Sequence, residues 1–131
     1  MILVSDMQAV AHDRLRDAEA LNAAGRFDGC LYLCGYCVEI ALKARICQTL
    51  KWTGFPERPG EFQAYKSFQT HDLDVLLRLS GVEDEIKTQY VNSWSVMAKW
   101  DTSVRYSLGG TTSAQQAAKI LTATRELMRA L

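Results

Sequence analysis

Apolar residues recur along this chain with a helical period, and in one stretch they close the full circle. From Asp28 to Lys51 the sequence reads DGCLYLCGYCVEIALKARICQTLK, with no proline and with Gly35 near its middle. Wound at 3.6 residues per turn, Cys30, Cys34, Cys37, Ala41 and Ala44 form a stripe of small side chains. Leu31, Val38 and Leu42 lie on one flank of that stripe, and Leu33, Ile40 and Cys47 on the other. A helix that is apolar on every side is buried and packed from several directions. Glu39 and Lys43 interrupt this interior at i, i+4, acid first, which is the favourable order for an ion pair on one helix face. Burying either charge alone is costly, so the spacing predicts a mutually satisfied pair.

The remaining pattern predicts helices on both sides of this one. A first helix starts near Ser5, with Asp6 in its first turn and an inner stripe of Met7, Val10, Ala11, Leu15, Ala18 and Leu21. Gly25 suits a left-handed C-cap, and Asp28 stands where an N-cap of the central helix would be. So short a link implies an antiparallel helical hairpin. Residues Trp52 to Gln69 have no clear period and contain Pro56 and Pro59, which reads as a long loop. It carries Trp52, Phe55, Phe62, Tyr65 and Phe68, so it either packs on the bundle or forms a binding surface. Thr70 is placed as the cap of a short third helix that buries Leu73, Leu76, Leu77 and Leu79 and stops at Ser80-Gly81. A fourth helix is expected from Val82 to Lys99, with Ile86, Tyr90, Trp94 and Met97 at helical spacing. Asp101 to Ser113 is irregular. Ser113 caps a last helix, Ala114 to Ala130, whose inner face is Ala117, Ala118, Leu121, Leu127 and Leu131. No segment alternates like a strand. The expected fold is all-α: one domain over residues 1–131, an antiparallel up-and-down bundle of four main helices plus one short helix.

Composition narrows the function classes. The chain has 131 residues, 48% apolar, with 15 Lys plus Arg against 15 Asp plus Glu. A formal charge of zero supplies no general basic field for nucleic acid, although a local patch is compatible with it, and it favours self-association. Met1-Ile2-Leu3-Val4 lacks the basic start and long apolar core of a signal peptide, and no apolar run reaches the roughly 20 residues of a membrane span. The expected location is the cytoplasm, with no membrane partner. Three of the four cysteines share one helix face, which suits neither a disulfide nor a structural zinc site, so they read as packing residues. No metal site and no cofactor is implied.

An N-terminal helix, Gly25-Arg26-Phe27, and an apolar helix with the block Val38-Glu39-Ile40-Ala41-Leu42-Lys43-Ala44 are followed by Thr70-His71-Asp72-Leu73 and Arg105-Tyr106. In that order and spacing, from about Met7 to Leu127, the chain resembles the HEPN family of helical nucleotide-binding domains. The resemblance implies a homodimer that binds a nucleotide or RNA, and a frequent partner of nucleotidyltransferase fold in toxin–antitoxin pairs. In the family's ribonuclease branch, an arginine at the position of Arg105 is followed by a histidine. Here Tyr106 to Thr112 contains none, and no histidine follows in the rest of the chain. The ribonuclease motif is therefore broken, and the resemblance points to a binding module. Its ligand-binding candidates are Arg105, Tyr106 and Trp100, which offer charge and stacking, and Glu39, Lys43 and Tyr36, which offer one wall of a polar cleft. His71 is the candidate general base of a rival reading, a ribonuclease that pairs Arg105 with a distant histidine. A third reading is a structural module whose aromatic loop docks another protein.

Overall fold

The central apolar stretch forms the helix on which the others assemble. In the computed structural model, which describes residues 1–131, the chain runs β1 (Ile2–Leu3), α1 (Val4–Ala23), α2 (Phe27–Leu50), β2 (Gly54–Phe55), α3 (Leu73–Ser80), α4 (Glu83–Gln89), α5 (Val91–Met97) and α6 (Ala114–Ala130). Helix α2 packs against α1, α3 and α6, and this enclosure is why its apolar residues surround it. Cys30, Cys34, Cys37 and Leu42 are fully buried, and the Cys37 thiol donates to the Ala11 carbonyl at 3.1 Å. Burial pushes the thiols of Cys37 and Cys47 up to about 12 and about 11. The Cys34 thiol is raised by its hydrogen bond with Cys30 and by burial. These are packing residues, not nucleophiles. The hairpin between α1 and α2 turns at Gly25, whose φ of +73° is the left-handed value a C-cap glycine supplies.

The bundle is all-α, as the periodicity indicates, but its second half is divided differently. The expected fourth helix breaks at Tyr90, where φ −125° and ψ 31° leave the helical region. The backbone bonds Tyr90 to Ile86 and Trp94 to Tyr90 remain on either side of the bend, and between them the helical ladder is interrupted. The bend lets the two halves serve different neighbours, α4 packing on α3 and α5 on α6. The result is three long helices and three short ones.

Several caps also differ from expectation. Arg26, not Asp28, precedes α2, and Asp28 lies inside the first turn with its carboxylate turned onto the 110–112 backbone. Asp72, not Thr70, caps α3, accepting from the N–H groups of Asp74 and Val75, while Thr70 Oγ1 accepts from the N–H of Asp72. Ser113 caps α6 as expected, with Gln116 reaching back to complete a capping box. On α6, Ala118 is exposed, and Ile120 and Thr124 are buried instead. Thr124 is tolerated there because its hydroxyl donates to the Ile120 carbonyl at 2.7 Å.

A two-residue antiparallel ladder, Ile2 opposite Phe55 and Leu3 opposite Gly54, ties the N-terminus to the long loop, contrary to the expectation of no strand. Gly54 is required by the close approach, since a Cβ there would lie 2.5 Å from the Ile2 carbonyl oxygen. The loop folds as an aromatic lobe. Trp52 lies 5.0 Å from Tyr65 and 5.2 Å from Phe68 between ring centroids, and Phe55 lies 6.0 Å from Phe62. No helix is long and apolar enough to cross a membrane.

Candidate functional site

Helices α1 and α2 and the aromatic lobe enclose a cavity of about 370 Å³. Its polar floor comes from α2, where Tyr36, Glu39 and Lys43 project on one face at helical spacing. Glu39 is buried. Its Oε2 accepts from Lys43 Nζ at 3.1 Å, and its Oε1 lies 3.0 Å from His71 Nδ1. The i, i+4 pair read from the sequence is therefore formed, with a third member from 32 residues away.

His71 sits at the mouth of the cavity, its side chain 67% exposed. Thr70 and Asp72, bonded to each other on either side of it, fix the backbone just before α3. A carboxylate only accepts, so the hydrogen of the Glu39–His71 bond belongs to Nδ1. In the neutral ring that leaves Nε2 unprotonated, a free acceptor at the cavity mouth. With neutral His71, the Glu39, Lys43 and His71 group carries no net charge, while Glu57 adds a carboxylate to the lining. Lys43 Nζ also lies 5.5 Å from the centroid of the Phe55 ring, a cation–π distance. Met7, Val10, Ile40, Phe55, Phe62 and Phe68 supply apolar wall. The cavity thus offers aromatic surface together with a fixed set of acceptors and donors.

Arg105 and Tyr106 stand elsewhere. They belong to a short 3₁₀ helix, Thr102–Tyr106, which Asp101 caps by accepting from the Ser103 N–H at 2.6 Å. Hydrogen bonds from Ser103 hold the Asp101 carboxyl below its usual range. Arg105 Nε donates to the Thr102 carbonyl at 3.2 Å, and its guanidinium lies 5.3 Å from the Tyr106 ring centroid. Arg105 makes no ion pair, and Tyr106 is 81% exposed. The segment is tied back to the bundle by Asp28, which accepts from the N–H groups of Gly110 at 2.6 Å and Thr112 at 2.9 Å. Those bonds, Gly110 first, lower the Asp28 carboxyl from its ordinary value.

Trp100 does not extend a stacking face beside Arg105. Its ring is buried flat on α2, where a Cβ at Gly35 would lie 2.0 Å from it, and it stacks on Tyr32 at 6.1 Å. Gly35 is thus a seat for an indole. The structure brings Tyr36, Glu39, Lys43 and His71 to one cavity and leaves Arg105 and Tyr106 outside it. Thr70, from the Thr70-His71-Asp72-Leu73 block, and Gln69, which nothing in its sequence context marks, also line this cavity. No cluster of three or more His, Cys, Asp or Glu side chains is arranged to hold a metal ion. Comparison of the chain with protein-family models, curated proteins and solved structures gives no match.

Proposed function

We propose that this protein is a HEPN-like, non-catalytic binding module of the cytoplasm that works as a two-fold dimer and holds a nucleobase, of a nucleotide or an RNA end, in the Glu39 cavity. The observation that carries the reading is the buried carboxylate of Glu39, fixed by Lys43 and His71 on the floor of a cavity with aromatic walls. A nucleobase offers a flat apolar face and an edge that both donates and accepts. The cavity matches the face with Phe55, Phe62 and Phe68, and the edge with Tyr36, Glu39, Gln69 and His71. Its volume falls within the range of about 300–1,000 Å³ for small-ligand sites. Phosphates belong outside it, because Glu39 and Glu57 both line the cavity. A nucleotidyltransferase-fold protein is the partner class that the family resemblance supplies.

The test is thermal melting of the purified protein with a panel of nucleosides, nucleotides and short RNAs. A ligand that prefers the folded state raises the melting temperature in proportion to its occupancy. At least one base-containing ligand is expected to do so for the wild type and to lose the effect in Glu39→Gln and Tyr36→Phe. A panel without any shift, or shifts unchanged in both variants, would remove the cavity as the site.

One observation favours a second reading. A histidine oriented at Nδ1 by a buried carboxylate, with Nε2 free, has the geometry of a general base. RNA cleavage that is abolished in His71→Ala would install the ribonuclease reading.

A further inference from the structure

We propose that a second cleft, on the face formed by α2, α5, α6 and the 101–113 segment, binds a small amphiphilic anion: a phosphate-type head group on an apolar body. The cleft has a volume of about 510 Å³ and shares no lining residue with the Glu39 cavity. Half of its lining is apolar, with Leu31 from α2, Val96 from α5 and Ile120 from α6 beside Trp100 and Val104. Its charged residues are Lys99 and Lys119, and no carboxylate lines it. Neither lysine forms an ion pair.

In a chain of zero formal charge, two unpaired ammonium groups over one apolar floor are a local departure. A concave, low-dielectric wall focuses their field on whatever enters. Asp28 stands behind the 110–112 segment, bonded to Gly110, Thr111 and Thr112, and does not line the cleft. One further donor stands ready. Gln116 spends its Oε1 on the Ser113 N–H at 2.8 Å, which leaves its NH₂ group free. The indole N–H of Trp100 is buried against Gly35 and has no acceptor, so Trp100 offers the cleft its ring and no donor. Two cations and an amide donor with no carboxylate among them suit an anion, and the apolar floor suits a body to cover it. A bare phosphate would leave that floor wet, and an uncharged chain would leave both lysines unused. The sequence hid this pairing because Lys99 follows α5 while Lys119 lies on α6, and the two meet only through the packing of these helices.

The experiment titrates the protein with octyl phosphate below its micelle concentration, reading tryptophan fluorescence and melting temperature. 1-Octanol and inorganic phosphate serve as the tail-only and head-only controls. Saturable binding of octyl phosphate is expected, about tenfold or more tighter than either control. The double variant Lys99→Gln/Lys119→Gln changes exposed residues, so its melting without ligand should match the wild type, while its octyl phosphate affinity should fall by about tenfold. Glu39→Gln should bind octyl phosphate as the wild type does, which separates this cleft from the Glu39 cavity. Vesicles of phosphatidylcholine with phosphatidate distinguish the source of the head group. Lysine-dependent co-sedimentation assigns it to a lipid, and octyl phosphate binding without co-sedimentation assigns it to a soluble metabolite. Octanol binding as tightly as octyl phosphate, or undiminished affinity in the double variant, would overturn the proposal.

Discussion

The Glu39 cavity and the Arg105 turn show two ways in which this fold presents polar side chains. In the cavity the buried Glu39 carboxylate has fixed partners, bridging Lys43 at 3.1 Å and the exposed His71 at 3.0 Å. On the turn, Arg105 makes one bond to the Thr102 carbonyl and otherwise faces solvent, and Tyr106 beside it is exposed. The first arrangement is preorganised and can discriminate the shape and polarity of a ligand. The second keeps its rotamer freedom, so it can attract a charge but selects little. Under the proposed function, this difference assigns recognition to the cavity and long-range attraction to Arg105.

The most severe loss is expected in the helix beneath the cavity. Cys34 is fully buried on α2. Cys34→Arg places an unpaired charge in a packed seam and should abolish folding, seen as loss of helical circular dichroism and of a defined elution volume. Next comes the ion pair itself. Lys43→Ala strands the buried Glu39 carboxylate and should cost about 3 kcal/mol by urea unfolding, with His71 offsetting part of it. The double variant Glu39→Ala/Lys43→Ala should lose less than Lys43→Ala alone. Equal losses would mean that the carboxylate is not desolvated.

A smaller effect is expected where the turn is tied to the bundle. The folded-state carboxyl of Asp28 titrates below its ordinary value because Gly110 and Thr112 donate to it. A carboxyl lowered on folding stabilises the protein above its unfolded value of about 3.9, and the contribution is lost as pH falls through the folded value. Wild type should therefore melt above Asp28→Ala at neutral pH, and the gap should close as the solution is acidified below about pH 4. A gap that persists in acid would assign the difference to packing.

The smallest effect on stability belongs to Arg105→Ala, within about 0.5 kcal/mol of wild type. The same variant should weaken binding of any anionic ligand, and the wild-type attraction should fall with added salt. An arginine stays protonated at any accessible pH, so it cannot replace the histidine that the motif lacks. The purified protein is accordingly expected to leave RNA intact in the presence of a chelator.

What could be read from the sequence follows the range of the interactions. The α1–α2 hairpin, the turn at Gly25, the Ser113 cap and the Glu39–Lys43 pair are set by residues a few positions apart, and each is formed. The bend at Tyr90 is different, because no glycine or proline marks it and the demands of α3 and α6 produce it. The shift of the α6 inner face to Ile120 and Thr124 depends on a hydroxyl bonding its own helix, which periodicity alone does not weigh. The Glu39–His71 bond and the seat of Trp100 on Gly35 join distant segments. No local pattern announces either one, so the α2 wall, the aromatic loop and His71 were legible one by one, and their meeting in one cavity was not.

The proposed recognition takes place in the Glu39 cavity. Its most direct test is ¹⁵N magnetic resonance of the His71 imidazole and the Arg105 guanidinium during titration with the base-containing ligand that stabilises the protein most. The predicted result is a saturable change at His71 Nε2, with the same midpoint as the rise in melting temperature, that is lost in Glu39→Gln. Saturation that moves Arg105 and leaves His71 unchanged would contradict the claim and place recognition on the turn.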